Sequence, residues 1–284
     1  QKRPIRELVD ALRQLGANIR YGEHDGYPPL HLEGFEGQQT DRLTLRGDVS
    51  SQFISGLMMV APVLPRGLTI TLTGTIGSRP YLEMTARLMR HFGAAVDMTG
   101  DRISILAGGY RPANYRVEPD WSAASYWFSF AALAEKADIL LPKVTSESLQ
   151  GDRAIVDIMA QLGVHTTFSA QGLRLTGGGA KAAAMRVDFR GCPDLAQTVL
   201  PACAALGIPG EFTGMESLRI KETDRIAALQ HELAKMGTAL TESAGRWTLL
   251  PGTLPLPDSI AINTYEDHRM AMGFAPLATR TTIQ

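Results

Sequence analysis

Two hydrophobic periodicities alternate along the chain, one typical of helices and one typical of strands. The segment Arg3–Leu15 repeats apolar residues three and four positions apart, which places them on one face of a helix. Leu68–Leu72 carries apolar residues at every second position and predicts a strand. Pro80–Phe92 predicts another helix, because proline fits a first turn, where its missing N–H is not needed. This mixture predicts an α/β fold.

A helix that ends in an apolar residue and a glycine occurs four times, and a short strand pattern follows each time. Such a glycine suits the left-handed position that closes a helix. The motifs are LRQLGANI, LMRHFGAAV, IMAQLGVHT and ELAKMGTAL, with Gly16, Gly93, Gly163 and Gly237 at intervals of 77, 70 and 74 residues.

An aspartate precedes an apolar helix four times, with a still more regular spacing. Asp48, Asp120, Asp194 and Asp267 are 72, 74 and 73 residues apart. A helix N-cap is the simplest interpretation of each, because aspartate accepts bonds from the free N–H groups of a first turn. Together the two patterns predict a unit of about 73 residues, with element order βαβαββ, used four times.

The segment RPANYRVEPD interrupts this repeat with two prolines. We therefore expect two domains, 1–118 and 119–284.

Composition and charge exclude several classes of protein. The chain has 284 residues, 44% hydrophobic and 20% charged, with a net charge of −1, so no general attraction to nucleic acid or anionic membranes is expected. Its longest apolar stretch, residues 53–64, is too short for a membrane span. Cys192 and Cys203 lack metal-binding spacing; we expect a reduced, cytoplasmic setting, although one disulfide stays open.

Cations gather at the predicted start of a helix in SLRIKETDRI. Positive side chains are unfavourable there unless an anion joins them, because a helix N-terminus already carries positive partial charge. Phosphate or carboxylate is the natural ligand. A solvated loop with internal ion pairs is the alternative. The charged residues are Arg219, Lys221, Glu222, Asp224 and Arg225.

Other helix starts carry donors of the same kind. His268 and Arg269 follow Asp267, and Arg3 begins the first helical pattern. Neutral donors that suit a phosphate or a polyhydroxylated ring precede two more helices: Ser50, Ser51, Gln52, Ser78 and Tyr81.

Asp194 and Glu222 are the best candidates for acid/base chemistry, because a carboxylate in a cationic pocket stays ionised and suits a general base. Cys192 is a less favoured candidate nucleophile. Neither the nucleotide-binding glycine motifs nor a metal-binding cluster occurs in the sequence, so no metal is expected.

Five segments, in this order, resemble the 5-enolpyruvylshikimate-3-phosphate synthase family: RPIRELVDALRQLGA, GDVSSQFISGL, SRPYLEMT, SLRIKETDRI and TYEDHRMAM. The resemblance implies transfer of the enolpyruvyl group of phosphoenolpyruvate to the 5-hydroxyl of shikimate 3-phosphate, by addition and elimination, without a metal or organic cofactor. It also implies an inside-out α/β barrel fold of two similar domains with three βαβαββ units each, of which about four of six are present.

The family's roles carry over to matching positions. Asp194 would take the 5-hydroxyl proton, and Glu222 would transfer a proton at the methylene carbon. Lys221 and His268 complete the catalytic set. The shikimate 3-phosphate ligands would be Ser50, Ser51, Gln52, Ser78, Tyr81, Asp194, Ser217 and Lys221. The phosphoenolpyruvate ligands would be Arg3, Gln52, Arg225 and Arg269. Domain 1–118 would thus serve the shikimate substrate, and 119–284 would carry the acid/base and phosphoenolpyruvate residues.

The family's N-terminal Lys-Ser-Arg segment, its Gly-Asn-Ala-Gly-Thr loop and its C-terminal lysine segment have no counterpart here. We therefore expect a fragment with weak or no turnover by itself. The expected partners are the two small substrates, with no nucleic acid, no membrane and a monomeric state. The alternatives are a UDP-N-acetylglucosamine enolpyruvyl transferase and a noncatalytic repeat module that binds anions. A nucleic-acid-end enzyme is disfavoured by the neutral charge.

Overall fold

The chain folds into two compact units, each built from helices packed on small β-sheets. The computed structural model describes residues 4–284, and the units are Gln1–Arg116 and Val117–Gln284. Each unit has a separate hydrophobic core. Within the described range, no helix has the length and apolar character that a bilayer span requires.

The first unit contains three helices and six strands among its described residues. They are α1 (Arg6–Leu15), β1 (Ala17–Tyr21), β2 (Leu30–Phe35), β3 (Arg42–Arg46), α2 (Ser51–Val60), β4 (Leu68–Thr73), α3 (Arg79–His91), β5 (Val96–Thr99) and β6 (Arg102–Ile105), with a 3-10 turn at Ala61–Val63.

The second unit contains five helices and nine strands. They are α4 (Trp121–Leu133), β7 (Asp138–Pro142), α5 (Ile155–Ala160), β8 (His165–Ser169), β9 (Gly172–Thr176), β10 (Met185–Asp188), α6 (Ala196–Leu206), β11 (Gly210–Thr213), α7 (Arg225–Ala234), β12 (Ala239–Ser243), β13 (Arg246–Leu250), β14 (Ser259–Ile260), α8 (His268–Phe274) and β15 (Thr282–Ile283). Its 3-10 turns are Gly151–Ala154, Pro193–Leu195, Glu216–Ile220 and Ala275–Thr279.

Two complete βαβαββ units confirm the predicted repeat. The sheets have strand orders β3-β4-β6-β5 and β10-β11-β13-β12. In each, the first two strands run parallel and the later pairings are antiparallel. Helices connect the parallel strands, as such crossovers require.

The other repeats are incomplete. The sheet β7-β9-β8 lacks a first strand, α1-β1-β2 forms the end of a unit, and β14-α8-β15 forms the beginning of one. The missing first strand falls on residues 106–120, which have no regular secondary structure. Pro112 and Pro119 lie in this segment, and proline cannot donate to a sheet ladder.

The predicted helix endings are confirmed, and the bounds of three predicted elements shift by one to three residues. The strand predicted at 68–72 extends to Thr73, the helix predicted at 80–92 is Arg79–His91, and the helix predicted at 3–15 begins at Arg6. All four repeat glycines have a positive φ, between 70° and 112°. At Gly163 a side chain is also excluded by space, because a Cβ would lie 2.6 Å from the Gly179 carbonyl oxygen.

The N-cap interpretation holds for two of the four aspartates. Asp120 accepts from the backbone N–H groups of Ser122 and Ala123, and Asp267 accepts from that of Arg269. It is wrong for Asp48, which pairs with Arg46 at 2.6 Å, and for Asp194, which lies inside a 3-10 turn. A nearby guanidinium offers these carboxylates stronger, charge-assisted bonds than a neutral N–H.

The disulfide that the sequence left open is not formed. Cys192 and Cys203 are both free and buried. Burial raises the pKa of each thiol to about 12.

Replacing Gly163 with alanine should destabilise the second unit more than replacing Gly178. Both glycines have a positive φ, 85° and 93°, but a Cβ at Gly178 meets nothing within 4 Å. We expect Gly178→Ala to cost about 1 kcal/mol from backbone strain and Gly163→Ala about 3 kcal/mol, because the latter also forces a backbone shift.

Urea unfolding followed by tryptophan fluorescence measures this difference within one unit, because the three tryptophans, Trp121, Trp127 and Trp247, all belong to the second unit. Equal losses for the two variants would contradict the close approach at Gly163.

Candidate active site

The repeat brings the candidate residues to equivalent places in the two complete units. Ser50–Gln52 and Ser78–Tyr81 lie where β3 and β4 lead into helices, and Asp194 and Lys221–Arg225 follow β10 and β11 in the same way. Since the two strands of each pair are parallel, both connections lie at one edge of the sheet. Ligands of open α/β sheets bind at this carboxyl edge.

In the first unit this edge carries neutral donors. Ser50 occupies the N-cap position of α2, followed by Ser51 and Gln52. Ser78 occupies the N-cap position of α3 with φ of 53°, a conformation that is uncommon for a residue with a side chain. The two connections touch, because the backbone N–H of Gly77 donates to the carbonyl of Gly47 at 3.0 Å. Backbone N–H groups and hydroxyls thus gather where a phosphate would find donors.

In the second unit the corresponding edge carries charges. We call these six side chains the charged cluster: Asp194, Lys221, Glu222, Arg225, Asp267 and Arg269.

Arg225 lies at the centre of the charged cluster. Its side chain is 2% exposed. Nε donates to Asp267 Oδ2 at 2.7 Å, Nη1 to Asp194 Oδ1 at 3.0 Å, and Nη2 to Glu222 Oε2 at 2.6 Å. A buried guanidinium requires such partners, because its desolvation is otherwise uncompensated. The carboxylates come from three different connections, so this one side chain joins them.

Asp267 has two functions, of which the sequence indicated only one. Besides capping α8, its fully buried carboxylate receives a second bond from Arg225, Nη2 to Oδ1 at 3.3 Å. The fork geometry matches an arginine–carboxylate pair. The pairing joins the start of α7 to the start of α8.

Asp194 faces three cations and remains ionised. Lys221 Nζ lies 3.7 Å away, Arg225 Nη1 3.0 Å and Arg269 Nη2 3.0 Å. Burial raises the pKa of Asp194, but the charges of the three cations outweigh burial and hold the pKa below its usual value of 3.8. A carboxylate that is ionised and partly exposed is able to accept a proton.

Arg269 is also held from α4, by contacts that sequence reasoning missed. Its Nη1 donates to Ser122 Oγ at 2.6 Å, and that hydroxyl donates to the buried carboxylate of Asp152 at 2.6 Å. Tyr126 forms a further hydrogen bond with Arg269. Ser122 and Asp152 are 30 residues apart and belong to no shared motif, so a single sequence carries no signal for them.

Other predicted residues lie at the margin or outside the cluster. Arg219 pairs with Asp224 and Glu242, so the structure does not bring it to Asp194. His268 is the first residue of α8 and its side chain is 69% exposed, with Nδ1 3.9 Å from Asp267 Oδ1. Ser217 lies half-buried in the turn Glu216–Ile220.

Three further expectations concern Arg3, the Cys192 thiol and metal binding. Arg3 lies outside the described residues. The Cys192 thiol is buried and keeps its proton at neutral pH, so it is not the activated nucleophile considered from the sequence. Across residues 4–284, histidine, cysteine and carboxylate side chains form no group of three or more that suits a metal ion.

Comparison with known proteins identifies one family. A sequence model described as EPSP synthase (3-phosphoshikimate 1-carboxyvinyltransferase) matches residues 1–284. A 3-phosphoshikimate 1-carboxyvinyltransferase of Bacteroides fragilis is 47% identical over 292 residues, covering 100% of this chain and 70% of that protein. Another, from Idiomarina loihiensis, is 35% identical, covering 98% of this chain and 64% of the relative.

A solved structure of EPSP synthase from Acinetobacter baumannii has the same fold. Its TM-score is 0.70 at 24% sequence identity, covering 100% of this chain and 66% of that one. This similarity confirms the predicted fold class. The chain spans about two thirds of the length of the relatives it matches.

Removing a cation beside Asp194 should raise the pKa of its carboxyl group. Lys221→Met removes the cation that lowers this pKa most, so the effect of burial is less opposed. The carboxyl titration is measured by NMR with labelled aspartate, and Arg174→Met, which removes a charge beside the exposed Asp138 instead, should leave it unchanged.

The lowered pKa of Asp194 also determines how the stability of the fold depends on pH. Because the folded-state pKa of Asp194 is lowered, its ionic contribution to stability is present above the unfolded pKa and is lost as pH falls through the folded one. A pKa of Asp194 that does not rise in Lys221→Met would contradict this role of Lys221 and leave Arg225 and Arg269 as the cations that keep the carboxylate ionised.

A double-mutant cycle should detect strong coupling between Arg225 and Asp267. Arg225→Met leaves a fully buried carboxylate without its guanidinium and should cost about 3 kcal/mol or more, whereas adding Asp267→Asn, which can still cap α8, should recover much of that loss. The free energies come from urea unfolding of the four proteins.

Arg174 and Asp138 provide the control cycle, because they form an arginine–aspartate pair in the same unit with both side chains more than half exposed. Water competes for the exposed pair, so its coupling should be much smaller. Equal coupling in the two cycles would mean that burial adds nothing to the Arg225–Asp267 pair.

Proposed function

Because the chain belongs to the EPSP synthase family, we propose that the protein transfers the enolpyruvyl group of phosphoenolpyruvate to the 5-hydroxyl of shikimate 3-phosphate, with release of phosphate. One observation carries the proposal: Asp194 is kept ionised by three cations at the carboxyl edge of a βαβαββ unit. The site thus combines a base with the positive charge that two anionic substrates require.

Asp194 takes the proton of the 5-hydroxyl as its oxygen bonds to the central carbon of phosphoenolpyruvate. The methylene carbon gains a proton in the same addition, and Glu222 supplies it after it has left Arg225 and taken up a proton from water. Elimination then breaks the bond to phosphate as the methyl carbon returns its proton to Glu222, and the proton held by Asp194 leaves with the phosphate. Before the substrates bind, Arg225 contacts both carboxylates, so one guanidinium holds Asp194 and Glu222 close together.

Different cations of the charged cluster bind the two anionic substrates. Lys221 and Arg269 have side chains that are 19% and 15% exposed, and both face Asp194. In the proposal, Lys221 contacts the shikimate substrate and Arg269 holds phosphoenolpyruvate. Arg225 binds phosphoenolpyruvate with Nη2, where the substrate carboxylate replaces Glu222 as its partner. This exchange frees Glu222 to act at the methylene carbon.

The first unit would recognise the phosphate and hydroxyls of shikimate 3-phosphate. Its donors at the starts of α2 and α3 are neutral, which suits a ligand that carries both charged and uncharged oxygens. The residues assigned to this task in the first unit are Ser50, Ser51, Gln52, Ser78 and Tyr81. A role for Ser217 as a shikimate 3-phosphate ligand remains a prediction. Roles for Arg3 and His268 at the phosphoenolpyruvate site, a cytoplasmic location, a monomeric state and independence from cofactors remain predictions.

Phosphate release by the full-length protein tests the proposal. We expect release that depends on both phosphoenolpyruvate and shikimate 3-phosphate, and none when UDP-N-acetylglucosamine is the acceptor. Asp194→Asn should lower kcat about 10²–10⁴-fold, as loss of a general base does.

The matched control is Asp188→Asn, since Asp188 lies at the end of β10 and pairs with the exposed Arg190; it should retain full activity. Phosphate release with UDP-N-acetylglucosamine would instead identify the protein as a UDP-N-acetylglucosamine enolpyruvyl transferase. Absence of release with either acceptor would favour a noncatalytic module.

A further inference from the structure

The turn that leads into α8 has an unfavourable backbone conformation at two consecutive residues. Tyr265 and Glu266 both have φ of 56°, in the left-handed region. Residues with side chains rarely adopt this conformation, and it persists only where surrounding contacts impose it. The turn ends at Asp267, which caps α8 and pairs with Arg225. Its shape therefore determines where members of the charged cluster lie.

Glu232, a buried carboxylate on α7, holds this turn. Its side chain is fully buried. Oε1 accepts from the Tyr265 hydroxyl at 2.7 Å, and Oε2 accepts from the backbone N–H of Asn263 at 3.1 Å and from Lys235 Nζ at 2.6 Å. Lys235 Nζ also donates to the carbonyl of Ala261 at 2.8 Å. Glu232 on α7 and Lys235, which directly follows α7, thus bind three residues of the segment that precedes α8.

The protonation states agree with this geometry. Burial raises the pKa of Glu232, but Lys235, Tyr265 and the N–H of Asn263 outweigh burial and lower it below the usual value. Burial and the contact with Glu232 raise the pKa of Tyr265 to about 12. The phenol therefore donates and the carboxylate accepts, in a charge-assisted bond.

One helix thus holds the turn at two points. Arg225 and Glu232 are seven residues apart on α7, about two helical turns, and so share a face. Arg225 binds Asp267, and Glu232 binds Tyr265 two residues earlier. A displacement of Tyr265 would move the start of α8, and with it Arg269.

We propose that Glu232, acting through Tyr265, is a positioning residue that places Asp267 and Arg269 in the charged cluster. The inference rests on the proposed function, because it assigns the affected step: use of phosphoenolpyruvate, which Arg269 holds. Glu232 contacts no reacting atom in this account. Loss of the Glu232 side chain should therefore weaken the binding of phosphoenolpyruvate and leave that of shikimate 3-phosphate unchanged.

The test compares Tyr265→Phe with Tyr110→Phe in the full-length protein. Each variant removes one hydroxyl that donates a hydrogen bond; that of Tyr110 goes to the carbonyl of Met59, in the first unit. For Tyr265→Phe we expect KM for phosphoenolpyruvate to rise about tenfold, with kcat within threefold and KM for shikimate 3-phosphate unchanged. Tyr110→Phe should leave all three within twofold.

Glu232→Gln should give the same selective rise, or a larger one, since its amide cannot accept all three bonds. A merely structural contact would lower the thermal midpoint without this split, so an unchanged KM for phosphoenolpyruvate in a folded Tyr265→Phe protein overturns the inference.

Hydrogen exchange separates this outcome from failure of the proposed function. If the unmodified protein lacks transfer activity, the proposed function is wrong, but the amides of residues 267–271 can still be compared. Faster exchange there in Tyr265→Phe, and not in Tyr110→Phe, supports the positioning role. Equal exchange in the two variants overturns it.

Discussion

A guanidinium buried among carboxylates is the interaction on which the second unit's site depends. Arg225 cannot remain charged at 2% exposure without partners, and the carboxylate of Asp267 cannot be fully buried without Arg225. Because Asp194, Glu222 and Asp267 come from different connections, their pairing with one side chain fixes where the 3-10 turn before α6, the start of α7 and the start of α8 lie. The contacts that stabilise this region are therefore also the contacts that orient the candidate base and acid.

The repeated unit explains why the chemistry gathers in this way. Two parallel strands followed by helices produce two adjacent connections at one sheet edge, whatever residues occupy them. The first unit places hydroxyls and an amide there, and the second places ionisable groups. One scaffold thus presents neutral donors in one copy and ionisable groups in the other, and the difference lies in a few residues per connection.

Local patterns in the sequence predicted local structure well. The repeat period, the closing glycines such as Gly163, and the caps Asp120 and Asp267 all depend on residues within one or two turns. The ionised state of Asp194 was also expected, because the sequence predicted a cationic pocket and a carboxylate in such a pocket stays ionised. The capping role of Asp194 was wrong, since its partners lie 27 to 75 residues further along the chain. Ser122 and Glu232 were missed for the same reason: their bonds to Arg269 and Tyr265 span 147 and 33 residues, and no short-range pattern encodes them.

The two buried cysteines have a consequence for how this protein meets oxidants and alkylating reagents. Such reagents attack the thiolate, and both thiols keep their protons at neutral pH because their pKa values are raised to about 12. Cys192 lies two residues before Asp194 in the sequence. Although it is this close to the candidate base, its thiol does not react with such reagents while the unit is folded. Modification of either sulfur would then mark molecules that have opened, and its rate would report how often the second unit unfolds.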